Sequence, residues 1–133
     1  MNEERKHLDV VAAVVCRGDE VLCFQKGATR HAYTSHRYEF PGGKIEPGET
    51  PPEALRRELR EELAVEAVVG QLLTVVEHAY PDFDITLRAY LCELPAGAFT
   101  LREHVAARYV ARRELRSLPW AGADAAVVEA LLR

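Results

Sequence analysis

Cysteine is scarce in this sequence: Cys16, Cys23 and Cys92 are the only three in 133 residues. An odd number without metal-type spacing argues against a disulfide framework or a zinc ribbon, and suggests reduced core thiols in a cytoplasmic protein. Excess positive charge is missing too. Lys and Arg number 17 against 21 Asp and Glu, a net charge of −4, so the chain lacks the basic footprint of a duplex-binding protein. No macromolecular nucleic-acid partner is expected, although the balance tolerates a small polyphosphate. No apolar run approaches the roughly 20 residues that span a bilayer, which removes a membrane partner from the expectations. The stretch "MNEERKHLD" is charged throughout and has no h-region of a signal peptide. Repeats and low-complexity tracts are absent. What the chain does have is 48% hydrophobic residues at the length of one ordinary domain, enough to bury a core. A single domain over 1–133 is expected, as a monomer or a homodimer.

"LDVVAAVVC" (Leu8 to Cys16) and "EVLCFQK" (Glu20 to Lys26) are strand-like apolar runs joined by "RGD", the pattern of a hairpin. Gly27 to Arg37 is irregular and carries Arg30, His31, His36 and Arg37. "YEF" reads as a short strand stopped by "PGG". "TPPE" (Thr50 to Glu53) has the form of a capping box with Pro at the first helical position, so a helix starts there and runs to about Leu63. "VVGQLLTVVEHAY" and "ITLRAYLCEL" are strand-like and meet across "PDFD", a second hairpin. "EHVAARYV" is one more strand, "RRELRSL" a short helix and "ADAAVVEALLR" an amphipathic helix, with "PAGAF" a loop. Strands and helices mix without regular βαβ alternation, which favours an α+β fold.

The helix beginning at "TPPE" divides into three arcs at about 100° per residue. Leu55, Leu59 and Leu63 form a stripe for the core. Arg56, Arg57, Arg60 and Glu53 lie roughly opposite, and Glu58, Glu61 and Glu62 fill the remaining arc beside the stripe. Two readings fit this arc. One is a charged face in which Arg and Glu support each other at i,i+4 spacing. The other is a divalent-cation site, since Mg²⁺ prefers carboxylate oxygens and takes substrate phosphates as further ligands, and a bound cation would turn the mutual repulsion into attraction. Gly42, Gly43 and Gly48 just before the helix permit close backbone approach.

Gly43, Glu49 and "RELREELAV" resemble the signature of the Nudix hydrolases, G-x5-E-x7-R-E-U-x-E-E-x-G-U with U aliphatic. Gly43, Glu49, Arg57, Glu58, Leu59, Glu61, Glu62 and Val65 fit, and Ala64 stands where the pattern has its last Gly. "YEFPGGKIEPGET", "YPDFDITLRAYL" and "LPWAGADAAVVEAL" are similar to the MutT branch of the family. The resemblance implies a mixed β-sheet sandwiched between α-helices. It also implies Mg²⁺- or Mn²⁺-dependent hydrolysis of a nucleoside triphosphate to monophosphate and pyrophosphate, by water attack at the β-phosphorus. It assigns metal ligation to Glu58, Glu62 and Glu61 with the Gly43 carbonyl, and makes Glu58 the best candidate for general base. Glu103 matches an ancillary ligand or base, Arg57 orients the glutamates, and Glu49 is an outer ligand or acts behind them. Lys26, with Arg30 in the irregular stretch after it, is assigned to the substrate side.

Asp124 and a few aromatics are the candidates to read the base. Asp124, near the start of the last helix, is either an N-cap or a base contact. An acid at this place resembles the members that hydrolyse CTP, and an Asp accepts hydrogen bonds from the cytosine amino group. Members that act on 8-oxo-dGTP resemble an Asn here, so the expected substrates are CTP, dCTP or modified pyrimidine nucleotides, with 8-oxo-dGTP as the alternative. A Nudix-fold regulator without catalysis is more remote, because the box glutamates are intact. Phe83, Tyr80 and Trp120 are candidates for stacking or for core anchors, and His31, His36, His78 and His104 show no ligand spacing.

Overall fold

In the computed structural model, which describes residues 5–95 and 99–133, the first apolar run becomes strand β1 (Lys6–Arg17). Its side chains alternate between two buried faces. Val11, Ala13 and Val15 enter one core cluster, and Ala12 and Val14 the other. A strand apolar on both faces belongs in the middle of a sheet, and β1 lies there. It runs parallel to β6 (Phe83–Glu93) from Lys6↔Phe83 to Val15↔Cys92, and antiparallel to β4 (Gly42–Lys44) on its other side. β5 (Val68–Ala79) pairs antiparallel with β6 and forms an edge. β2 (Glu20–Lys26) meets β1 at Cys16↔Val21 and Arg17↔Glu20, then diverges to pair with β3 (Tyr38–Glu39) and β7 (His104–Ala111). The sheet is thus mixed and splits around the cleft between β4 and β2.

Helices α1 (Pro51–Leu63) and α2 (Gly122–Leu131) cover its two faces. Leu55, Leu59 and Leu63 are fully buried against Val11, Ala13 and Val15, as their spacing predicts. Each such leucine contributes roughly 1.5–3 kcal/mol. Ala123, Val127, Val128 and Leu131 pack on the other side with Ala12, Val14 and Leu87. The expected sandwich is therefore what forms.

The capping box is complete: Glu53 N–H donates to Thr50 Oγ1 at 3.3 Å, and Thr50 N–H donates to Glu53 Oε1 at 2.8 Å. The helix ends at Ala64, in the left-handed region at φ 57° and ψ 40°, with its N–H on the Arg60 carbonyl at 3.0 Å. The ending survives the missing glycine, at a conformational cost of about 1–2 kcal/mol.

"RRELRSL" forms the expected short helix, of the 3-10 type (Arg112–Ser117). Two expectations change. β4 has no apolar or β-branched signal. It forms because Gly42 lets its backbone lie against the Val11 carbonyl, where any Cβ would collide. Cys16 is exposed, unlike buried Cys23 and Cys92, because it sits at the end of β1 where the hairpin leaves the core; Arg112 Nη2 donates to its sulfur at 3.5 Å. Burial pushes the Cys23 and Cys92 thiols up to about 12, so both stay protonated. Parts of "MNEERKHLD" and "PAGAF" lie outside the described residues. Among those described, no helix is long and apolar enough to cross a membrane.

Candidate active site

A cleft of about 380 Å³ opens where β1, β4 and β6 meet α1, the stretch 27–37 and the start of α2. Of the sequence-predicted residues, Lys26, Gly43, Glu58, Glu61, Glu62, Phe83, Glu103 and Asp124 all line it. Arg30, Arg57 and Glu49 do not. Arg30 is exposed and donates from Nε to His31 Nε2 at 3.4 Å.

The leucine stripe decides how the glutamates point. With Leu55, Leu59 and Leu63 pinned to the sheet, Glu58 and Glu62, four residues apart, share a row facing the cleft. Glu62 is only 6% exposed. Glu58 is nearly buried, whereas Glu61, a row further round, keeps a mostly exposed side chain. Gly43 completes the arrangement: a Cβ there would stand 2.5 Å from Glu58 Oε1 and 2.6 Å from Oε2. A side chain at this position would displace the Glu58 carboxylate, so the glycine lets that carboxylate keep its place.

Arg57 is not on the solvent side of the helix. Its guanidinium turns back to donate to both oxygens of Glu49 (2.8 and 2.9 Å), to Glu58 Oε1 (3.0 Å), to Glu61 Oε2 (3.4 Å) and to the Lys44 carbonyl (2.9 Å). A planar fork with several donors suits this bridging role. Its hydrogen bonds, with that from Glu46 N–H, hold Glu49 down at about 2. Both Glu49 oxygens are thereby committed to Arg57. Glu58 moves the other way: burial raises its carboxyl, and Arg57 only partly offsets it.

Among the described residues no ready-made group of three or more His, Cys, Asp or Glu side chains converges on a point. The donor set nonetheless fits a hard divalent cation. Glu62 Oε2 is buried without a hydrogen-bond partner among the described residues. Burial, followed by the charges of Glu58, Glu39 and Glu103, pushes the Glu62 carboxyl up to about 9. A proton thus stands where charge compensation is needed, and a cation with oxygen affinity could supply it instead.

The other part of the cleft is largely apolar, with Phe40, Tyr80, Phe83, Ile85 and Leu87 around Asp124. Asp124 is not the N-cap of α2, which is Ala121. It sits in the first turn, 6% exposed, and its Oδ1 accepts the Phe40 N–H at 2.9 Å. Burial, then the charge of Glu39, pushes its pKa up to about 8, so it is protonated at neutral pH and presents an O–H as well as an acceptor. Tyr80 is fixed by a hydrogen bond from Ala123 N–H (3.2 Å) and stacks on Tyr33 of the irregular stretch, 5.5 Å between centroids. Trp120 is a core anchor, stacked on Phe40 at 4.9 Å with its indole N–H on the Leu115 carbonyl at 2.7 Å.

Sequence reasoning missed Glu39. It lines the cleft, and its charge reaches both Glu62 and Asp124. Its signal was an acid between two aromatics in "YEF": alternation sends Tyr38 and Phe40 into the core and leaves Glu39 on the other face. His104, buried beside it, carried no motif at all.

The NUDIX domain family model matches residues 6–131. A CTP pyrophosphohydrolase of Escherichia coli is 35% identical over 127 residues, covering 96% of this chain and 93% of that protein. A putative 8-oxo-dGTP diphosphatase 2 of Mycobacterium tuberculosis is 38% identical over 128 residues, covering 93% and 87%. The solution structure of the E. coli ORF135 protein superposes with a TM-score of 0.81 at 34% identity, over 96% of this chain and 90% of that one. The signature read from the sequence and the cleft built from it agree with a match along nearly the whole chain: the protein belongs to the Nudix family, as a MutT-like hydrolase of acid anhydrides.

Proposed function

We propose that the protein is a Mg²⁺- or Mn²⁺-dependent nucleoside triphosphate pyrophosphohydrolase acting on CTP, dCTP or modified pyrimidine nucleotides. It releases monophosphate and pyrophosphate by water attack at the β-phosphorus. The observation that carries this reading is the division of the cleft: carboxylates of α1 line one part, and aromatic walls with one buried acid line the other. A triphosphate and a base need those two environments.

Glu58 and Glu62, with Glu61, Glu103 and the Gly43 carbonyl, would hold the cation. When bound, it supplies positive charge against the phosphates and acidifies water. Glu58 is the general base that takes the proton of the attacking water; burial raises its carboxyl and so makes it more basic than an ordinary one. Arg57 fixes the Glu58 carboxylate from behind, and Glu49 acts through Arg57. Lys26 places its ammonium against the phosphates and holds them by charge in the bound substrate and the transition state alike. Phe83 and Tyr80 enclose the base, and Asp124 reads its edge. A neutral Asp124 offers a donor and an acceptor, matching the N3 and N4 amino edge of cytosine.

The same neutral acid favours one second reading, 8-oxo-dGTP, because O6 and N1–H of an oxidised guanine also present an acceptor beside a donor. The relative named for that substrate supports it equally well. Turnover of CTP, dCTP, 5-methyl-dCTP, 8-oxo-dGTP and 2-hydroxy-dATP in ¹⁸O water, followed by mass spectrometry, separates the two. Cytidine nucleotides are expected to turn over fastest, with the label in pyrophosphate. Turnover of 8-oxo-dGTP with negligible CTP cleavage would reassign the base, and label in the monophosphate would move the attack to the α-phosphorus.

A further inference from the structure

β2 and β7 pair in simple register from Glu20↔Ala111 to Gln25↔Ala106 and then slip between Gln25 and Lys26, so that His104 rather than Val105 stands opposite Lys26. Val105 drops out of the pairing and is 64% exposed. Such bulges re-aim side chains beside active sites, and the side chain re-aimed here is His104. Its imidazole is buried with 1% of its side chain exposed, 5.2 Å from the Phe24 ring. Nε2 lies 2.8 Å from Glu39 Oε2. An ionised carboxylate only accepts, so Nε2 carries the proton and donates. Nδ1 has no partner among the described residues, and leaving a buried nitrogen unpaired is destabilising.

Glu39 stands between two cationic or donor groups. Its bond to His104 is short, while Lys26 Nζ is 3.7 Å from Oε1, long for an ion pair. Lys26 and Glu39 both line the cleft. Attraction between opposite charges alone would draw Glu39 onto Lys26 and cancel an ammonium that faces the cleft. We infer that His104 is a positioning residue: by holding Glu39 toward β7, it limits the Lys26–Glu39 pairing to one loose contact and keeps the ammonium available to a substrate phosphate. This rests on the triphosphate reading of the cleft.

A double-mutant cycle tests it, with KM and kcat measured for CTP and 8-oxo-dGTP and folding checked by thermal melts. His104→Phe is expected to raise KM about tenfold for both nucleotides while kcat stays within about twofold, the pattern of lost uniform binding. His104→Gln retains a donor and should remain within about threefold of wild type. In a Glu39→Gln background, which removes the competing charge, His104→Phe should add nothing. An unchanged KM, a rise confined to one base, or the same rise without the Glu39 charge would overturn the inference. His104→Leu carries the same expectations if the phenyl ring prevents folding. Should the wild type hydrolyse neither nucleotide, the function reading fails. The cycle is then read as the Kd of magnesium pyrophosphate, where the same outcomes decide.

Discussion

Asp124 has its stability effect opposite in sign to that of the paired carboxylates. An Asp in the unfolded chain loses its proton near pH 4, whereas burial and the charge of Glu39 keep the folded group protonated up to about 8. Between those values folding takes up a proton, so the group's contribution is fully present below pH 4 and is lost as pH rises toward 8. The slope cannot exceed about 1.4 kcal/mol per pH unit for one group. Glu49, held down at about 2 by Arg57, acts in reverse, and its contribution is lost as pH falls. Asp124→Asn keeps an oxygen to accept the Phe40 N–H but removes the titration. Melted without cation or nucleotide, the variant's Tm should exceed the wild type's by a margin that widens from pH 5 to pH 8. A constant margin would mean that Asp124 ionises at its ordinary value.

At the scale of elements, α1 is the part of the fold that local chemistry writes most openly. Its start needs only Thr50, Pro51 and Glu53, and its buried face only the spacing of three leucines. Its end is where the sequence departs from the family pattern and the structure does not. Ala64 keeps the left-handed conformation at φ 57°, so Ala64→Gly relieves about 1–2 kcal/mol of strain and returns part of it as unfolded-chain entropy. A net gain of about 1 kcal/mol is expected, seen as a higher urea midpoint at unchanged m-value. No shift would show that the alanine is unstrained there. β4 and the β2–β7 bulge were illegible for a physical reason. Each depends on a partner far away in sequence: the Val11 carbonyl for Gly42, and Lys26 for His104. Glycine-rich and alternating patterns are silent about such partners, and with the bulge went the roles of Glu39 and His104.

For the whole molecule, the acidic arc raises the question of why the fold tolerates it without a cation. The family pattern made the positions of the glutamates and the bridging role of Arg57 legible, but not the proton on Glu62. Arg57 reaches Glu46, Glu49, Glu58 and Glu61 within 4 Å, and Glu62 is kept neutral by its raised pKa. Two internal devices, one guanidinium and one proton, thus offset the repulsion that a cation would otherwise have to cancel. The cores on both faces of the sheet draw on apolar residues of β1, β2 and β6 with α1 and α2, so their packing does not depend on the cleft carboxylates. Removing the metal should therefore separate activity from folding. With EDTA, turnover of the best nucleotide is expected to fall to background while the far-UV circular dichroism and a cooperative melt persist. Adding Mg²⁺ back should raise Tm, because a ligand bound only by the folded state stabilises it by about 2.7 kcal/mol at 100 times its Kd. That gain should be lost in Glu62→Gln, which still folds because an amide replaces an already neutral carboxyl. Unfolding in EDTA would make the cation structural, and full turnover in EDTA would remove it from the chemistry. A Mg²⁺-dependent rise in Tm that survives Glu62→Gln would place the cation away from Glu62 Oε2.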